Sequence, residues 1–300
     1  MGQSYLAIVN PAAGGGRSKK LLGPALERLR AGGIEVKVAA THSAGQATEI
    51  ARDAYRRGVL HFIAVGGDGT SYEVVNGLFP EAAGAAPPTL AFLPLGTGNS
   101  FLRDFSDRGV EHAIESLLAQ RIQPCDVMRL RHRDGIIYYI NLLSVGFTAD
   151  VATLRARSFS GWGELGYVSS IFLTLARFNR RPFPVRVEGE EAYDTRRCLF
   201  LTFNNSKYTG GTMMIAPKAE VNDGLVEYVR WGPIGRLGLI RNLPTLYDGT
   251  HIKHPLAERK ASRRIEFKLN GPVDVMVDGE VLSLHCQELD VLPGALKVVA

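Results

Sequence analysis

Four apolar runs, at residues 5–9, 34–40, 61–65 and 89–93, alternate with helical spacing at 19–29, 46–57 and 70–79. Parallel strands need a crossover between them, so this rhythm predicts a parallel sheet with helices on its faces. Sheets of that kind collect ligands beyond the carboxyl ends of their strands. Three glycine-rich segments stand there: NPAAGGG at 10–16, GGDGT at 66–70 and LPLGTGN at 93–99. Their shared position is stronger evidence for a binding edge than any one of them.

From Asp126 onward the texture changes. Strand-like runs dominate, at 127–130, 136–143, 185–188, 198–203, 225–229, 265–269, 273–277 and 281–284. Asp-Gly turn signals punctuate them at Asp134–Gly135, Asp223–Gly224 and Asp278–Gly279. Helical spacing returns at 163–178 and 234–246. The expected fold is an α/β parallel-sheet domain over 1–125, followed by an antiparallel β-sandwich over 126–300. The last residues are free to return to the first domain.

No window approaches 18 uninterrupted apolar residues, so no membrane-spanning helix is expected. The opening MGQSYLAIVNP enters a strand at once and lacks the basic start and long apolar core of a signal peptide, which predicts a cytoplasmic protein. Cys125, Cys198 and Cys286 are widely spaced, with no Cys-x-x-Cys, and read as buried thiols. The net charge of +5 is concentrated in RLRHR (129–133), RFNRRP (177–182) and ERKASRR (258–264). Such clusters suit an anionic membrane surface; no nucleic-acid motif accompanies them, and no nucleic-acid partner is expected.

The glycine loops fit neither common phosphate motif. From Gly67 and Gly69 a dinucleotide fingerprint requires glycine at Tyr72, and from Gly14 a P-loop requires Gly-Lys-Ser/Thr where Lys19, Lys20 and Leu21 stand. What remains is a strand–GGDGT–helix junction. Its glycines let a ligand approach the backbone, and Thr70 is expected to cap the helix and leave N–H donors for an anion. Asp68 would repel that anion unless it holds a cation or accepts a proton, which Mg²⁺ with a nucleotide explains.

Taken together, NPAAGG, GGDGT-x-x-EVVNGL and PLGTGN-x-F resemble the diacylglycerol kinase catalytic domain family, which includes bacterial soluble lipid kinases and sphingosine and ceramide kinases. The resemblance continues through NLLSVGFTADV (141–151), APKAEVNDGLVEYV (216–229) and VMVDGE (275–280). It implies a fold similar to NAD kinases, with the nucleotide between an α/β domain and a β-sandwich. It implies that Asn10, Pro11, Ala12, Ala13, Gly14, Thr41, Gly66, Gly67, Gly69, Thr70, Glu73, Gly96, Thr97 and Asn99 line an ATP site, with Arg17 near the phosphates. Asp278 and Glu280 match the acidic pair beside the transferred group. Glu280 is the first choice of base, and Asp68 matches the base proposed for sphingosine kinases. A second, structural Mg²⁺ is implied at Glu220, Asp223 and Leu225, with Asp126 supporting the region.

The acceptor is expected to be a lipid hydroxyl at a membrane surface, with diacylglycerol the default and a sphingoid base or ceramide the rival. NAD kinase and a non-catalytic lipid-binding relative are more remote. Asp150, in GFTADV, either binds a sphingoid head group or pairs with Arg155 or Arg157. Those two arginines, Arg157 included among the substrate candidates, equally suit the ATP phosphates. The segment WGELGYVSSIFLTLARF (162–178) suits an acyl-chain wall, a membrane-facing surface or a core helix. Peripheral membrane association and a homodimer are both compatible with this reading.

Overall fold

The computed structural model describes residues 3–96, 99–147, 149–151, 154 and 180–300, with the side chains of 17 and 19 left aside. Strands β1 (Ser4–Val9), β2 (Glu35–Ala40), β3 (His61–Val65) and β4 (Thr89–Leu93) pair in parallel in the order β2-β1-β3-β4. Their alternation builds two cores. Phe62 and Ala64 of β3 face helices α2 (Gln46–Arg56) and α3 (Asp68–Leu78), whereas Ile63 and Val65 face α1 (Arg17–Ala31) and α4 (Val110–Leu118). Phe62, Ile63 and Val65, fully buried, each stabilise the fold by about 1.5–3 kcal/mol. Helix α2 turns Ala47, Ala51 and Ala54 toward α3, where a Cβ on Gly77 would collide with Thr48 O. The glycine of VVNGL is therefore a helix-packing residue.

The second half does not form a separate block. Strands β5 (Ile122–His132) and β6 (Gly135–Tyr139) extend the first sheet, and β7 (Leu142–Gly146) begins another. The apolar run read from sequence as 136–143 is thus two strands in different sheets, divided where Asp278 binds the chain at 140–142. Strands β8 (Val185–Val187), β9 (Phe200–Asn204), β10 (Val226–Trp231), β11 (Ala257–Ser262), β12 (Arg264–Phe267), β13 (Val273–Val277), β14 (Glu280–Leu284) and β15 (Cys286–Val299) complete the fold. A six-stranded antiparallel sheet runs β11-β10-β9-β7-β13-β14. It packs Leu143, Phe203, Tyr228 and Val277 against Met128, Leu130, Ile265 and Leu289 of the other sheet, making a sandwich. Between β10 and β11 lies the helix α5 (Arg236–Asn242).

Strand β15 joins the halves. Leu296–Val299 and Cys286–Leu292 both pair with β5, the last residues also run parallel to β4, and the register shifts between Leu292 and Leu296. Asp126 holds that irregularity: its buried carboxylate accepts the Gly294 N–H at 2.7 Å and the Gly224 N–H at 2.6 Å. A second tie, not anticipated from sequence, is Asp104, at the end of the 3₁₀ turn after LPLGTGN. It accepts the Lys207 N–H at 3.0 Å, and the Lys207 ammonium lies 3.5 Å away.

Burial pushes the Asp104 carboxyl up to about 6, with Lys207 pulling the other way. An unfolded aspartate loses its proton near pH ~4, while the folded one keeps it until about 6. The folded state therefore binds more protons across that window, and this group's contribution to stability falls as pH rises through it. Asp104→Asn should remove that slope. Urea unfolding midpoints measured at several pH values check this; parallel wild-type and variant profiles would refute it.

Candidate active site

The three glycine loops meet at the carboxyl edge of the parallel sheet. The Asn10 N–H donates to Val65 O at 3.0 Å and the Thr41 N–H to Val9 O at 2.8 Å, aligning three strand ends. The Asn10 side chain turns back to accept the Ala12 N–H at 3.0 Å, and Pro11 stands between them in the turn. Gly14, Gly15 and Gly16 then have φ of 62°, 65° and 87°, a left-handed run that favours glycine. The first turn of α1 begins at Arg17 with no side-chain cap, so its backbone donors are available to an anion.

Contact between the second and third loops is backbone to backbone. The Gly96 N–H donates to Gly66 O at 2.8 Å, and a Cβ on Gly96 would lie 2.7 Å from Gly67 N. The Asn99 amide closes its own loop on Gly96 O at 3.1 Å. Helix α3 starts at Asp68, with Gly67 rather than Thr70 at its N-cap. Thr70 is instead buried two residues inside the helix, and a Cβ on Gly66 would collide with its hydroxyl. The threonine sets the glycine's position, its own N–H donates to Gly67 O at 3.0 Å, and the N–H groups of Asp68 and Gly69 are left to the ligand edge. Thr97 lies outside the described residues, as does the Arg17 side chain.

The two acidic loops come together as expected. The turn at 278–279 brings Gly279 over Asp68, where an added Cβ would stand 3.7 Å from Asp68 Cβ. Glu280 reaches over Gly69, and a Cβ there would be 2.5 Å from Glu280 Oε1. The three carboxylates differ in what they touch. Asp68 accepts the Ser100 N–H with both oxygens, at 3.0 and 3.2 Å. Asp278, buried and with φ of 46°, accepts the N–H groups of Ile140, Asn141 and Leu142 at 3.0, 3.1 and 2.9 Å. Glu280 is exposed and makes no hydrogen bond among the described residues.

Burial raises the Asp68 carboxyl above its ordinary range, against the pull of the Ser100 and Phe101 amides. It pushes Asp278 up to about 7, against three amides that favour the anion and with Asp68 adding repulsion. Glu280 is raised by partial desolvation and by Glu73. The nearby Tyr72 phenol is pushed up to about 12 by burial and then by Asp278, Glu280 and Glu73. A carboxylate whose affinity for protons is moved toward neutrality is suited to general-base work.

Glu73 has a structural part that the sequence reading did not include. Its oxygens accept the Gly45 and Ala47 N–H groups at 2.9 and 3.0 Å, at the start of α2. It caps a neighbouring helix. Asn76 likewise spans to Tyr138, donating to its carbonyl at 2.8 Å and accepting its N–H at 2.9 Å. The EVVNGL stretch thus assembles the wall behind the site.

Comparison with known proteins agrees with this geometry. The Diacylglycerol kinase catalytic domain model matches residues 4–130, and the YegS C-terminal NAD kinase beta sandwich-like domain model matches 141–300. The chain belongs to the diacylglycerol kinase family. A "Diacylglycerol kinase" of Mycobacterium tuberculosis is 26% identical over 98% of this chain and 94% of its own length. One of Bacillus subtilis is 29% identical over 93% and 92%. A crystal structure of a diacylglycerol kinase from Bacillus anthracis superposes with a TM-score of 0.73, covering 99% of this chain and 96% of that one at 21% identity, a likeness of fold.

Two expectations drawn from that family meet a more local geometry. Asp150 pairs with Arg181 at 2.6 Å, a partner not considered from sequence, and Asp274 is a further charged neighbour. Arg155, Arg157 and the 162–178 segment lie outside the described residues. In the 220–225 loop, Asp223 Oδ1 accepts the Leu225 N–H at 2.9 Å, an Asx turn, while burial, Asp126 and Glu220 raise its carboxyl. No helix among the described residues is long and apolar enough to cross a membrane.

Proposed function

We propose that this lipid kinase transfers the γ-phosphoryl group of ATP to the free hydroxyl of diacylglycerol. The observation that carries the reading is the Glu280 carboxylate, without a hydrogen bond among the described residues and seated on Gly69 of the phosphate-facing turn. In this reading Glu280 accepts the acceptor-hydroxyl proton. The left-handed glycines and the uncapped starts of α1 and α3 hold the phosphates by backbone N–H groups. Asp278 keeps the Glu280 turn in place through its three amides.

Among the described residues no group of three acidic, His or Cys side chains is arranged for a metal. That fits a Mg²⁺ carried on the nucleotide's own phosphates and touched by one carboxylate, for which Asp68 is oriented by Ser100. The cation would supply charge neutralisation on the transferring group.

Diacylglycerol is preferred over a sphingoid base because the Asp150 carboxylate is already answered by Arg181. Purified protein with labelled ATP, offered diacylglycerol, ceramide, sphingosine and NAD⁺ separately, tests the reading. Label in phosphatidic acid is expected, and label only in another product would overturn it.

A second Mg²⁺ is proposed on the 220–225 loop, held by the Asp223 carboxylate and the main-chain carbonyls of Glu220 and Leu225. It would relieve the repulsion that Asp126 and Glu220 exert on Asp223. Adding Mg²⁺ to chelator-treated protein should raise Tm, by about 2–3 kcal/mol of stability at a hundredfold excess over Kd. Asp223→Asn should abolish that rise; an undiminished rise in the variant would sink the assignment.

A further inference from the structure

The excursion between β10 and β11, residues 232–256, carries a surface that phosphoryl transfer does not use. Its base is closed by the Gly232 N–H donating to Leu256 O at 2.7 Å. Ile234, Leu239 and Leu246 pack inward on Phe200, Trp231 and Ile215. The buried His251 ring spans Thr245 O and Ile215 O at 3.2 and 3.0 Å. These contacts hold the excursion through the Leu239 side of α5.

The other side is also apolar. Leu237 is 84% exposed and Ile240 48%, three residues apart on one helix face. Tyr247 and Leu256, at 49% and 40%, belong to the same excursion. Among the described residues no other large apolar side chain passes one-half exposure as Leu237 does. A helix apolar on both sides is ordinarily covered, so the exposed Leu237 and Ile240 face is a candidate binding surface.

Charge identifies the cover. Arg236, Arg241 and Lys253 are exposed in this excursion, whose one acidic residue is Asp248. Beside it lies a groove of about 450 Å³ lined by Arg196, Arg197, Arg230, Leu256 and Glu258. Arg196 and Arg230 are answered by Asp194, and Arg196 also by Glu258. Arg197 has no ion-pair partner among the described residues and adds its charge to the rim. Exposed apolar side chains and an excess of exposed cations on one excursion match an anionic lipid surface, with its acyl boundary below its phosphates.

We propose that residues 232–256 form the membrane-docking element of this protein. Leu237 and Ile240 enter the headgroup region of an anionic bilayer, and Arg197, Arg241 and Lys253 lie on lipid phosphates. The inference rests on the lipid-acceptor reading for its purpose, and its test is separate. The full chain is sedimented with phosphatidylcholine vesicles, with and without about one-third phosphatidylglycerol, at low and high salt.

Binding is expected to need phosphatidylglycerol and to weaken with salt. The double variant Leu237→Glu/Ile240→Glu should lower partitioning by at least about tenfold, and Arg241→Glu by about fivefold or more. Because Leu237 is 84% exposed, the thermal midpoint should not move. Phosphorylation of a short-chain diacylglycerol dispersed without vesicles should also be unchanged. Wild-type partitioning by the double variant would overturn the proposal. So would a wild-type dimer that the double variant splits, with no vesicle binding by either. Patch-dependent vesicle binding by a protein that phosphorylates no lipid would uphold docking and refute the acceptor reading.

Discussion

Glu280→Gln should lower lipid phosphorylation by about 10²–10⁴-fold while leaving the fold intact, the usual range for loss of a general base. The side chain is exposed and makes no hydrogen bond among the described residues, so the amide costs little stability. Its Oε1 lies against Gly69, where the transferring group is expected, so the loss falls on turnover. Asp278→Asn provides the contrast. An amide there turns an NH₂ toward one of the backbone donors at 140–142, leaving a buried N–H unpaired at a cost of about 1–3 kcal/mol. Thermal midpoint and kcat measured on both variants separate the two roles. Glu280→Gln protein that keeps near-normal turnover would remove Glu280 as base and return the role to Asp68.

Gly96→Ala should be the most damaging single methyl in the nucleotide edge. Its Cβ would stand 2.7 Å from Gly67 N and 2.8 Å from Gly67 Cα, and these are backbone atoms that cannot rotate away. The GGDGT and LPLGTGN loops would have to separate. The expected result is a stability loss of about 1–3 kcal/mol, as for overpacking, with ATP affinity at least about tenfold weaker. Gly15→Ala tests the reasoning from the other side. Space is open around Gly15, and only its φ of 65° opposes a side chain. Its cost should be about 1–2 kcal/mol, with the remaining loops still meeting. Equal ATP affinity in Gly96→Ala and wild type, by calorimetric titration, would show that the two loops do not share the nucleotide.

Much of the site was legible because its signals are local. Strand β3 was readable at its observed bounds, and so was β4, because short, mostly apolar runs cut off by Gly66 and by Pro94 admit few other structures. GGDGT and VDGE each announced a turn with a carboxylate. Their meeting required β7, β13 and the turn at Asp278 to align, which no spacing along the chain encodes. The capping contacts of Glu73 were hidden for the same reason: its partners at Gly45 and Ala47 lie 28 and 26 residues away. The start of α3 was placed too late, at Thr70, because a helix can begin on a bare glycine when a neighbouring loop, here Gly96, packs against it.

The sequence by itself determined the local facts: a parallel βαβα opening, three glycine turns on one edge, and carboxylates at Asp68, Asp278 and Glu280. Backbone geometry and apolar periodicity act over a few residues, so they can be read there. Only the tertiary structure decided which carboxylate is clamped and which is free, that Asp150 answers Arg181, and that β15 serves both halves of the molecule. Those outcomes depend on which distant backbone amides and charges burial brings together, and that choice is made by the packed fold as a whole.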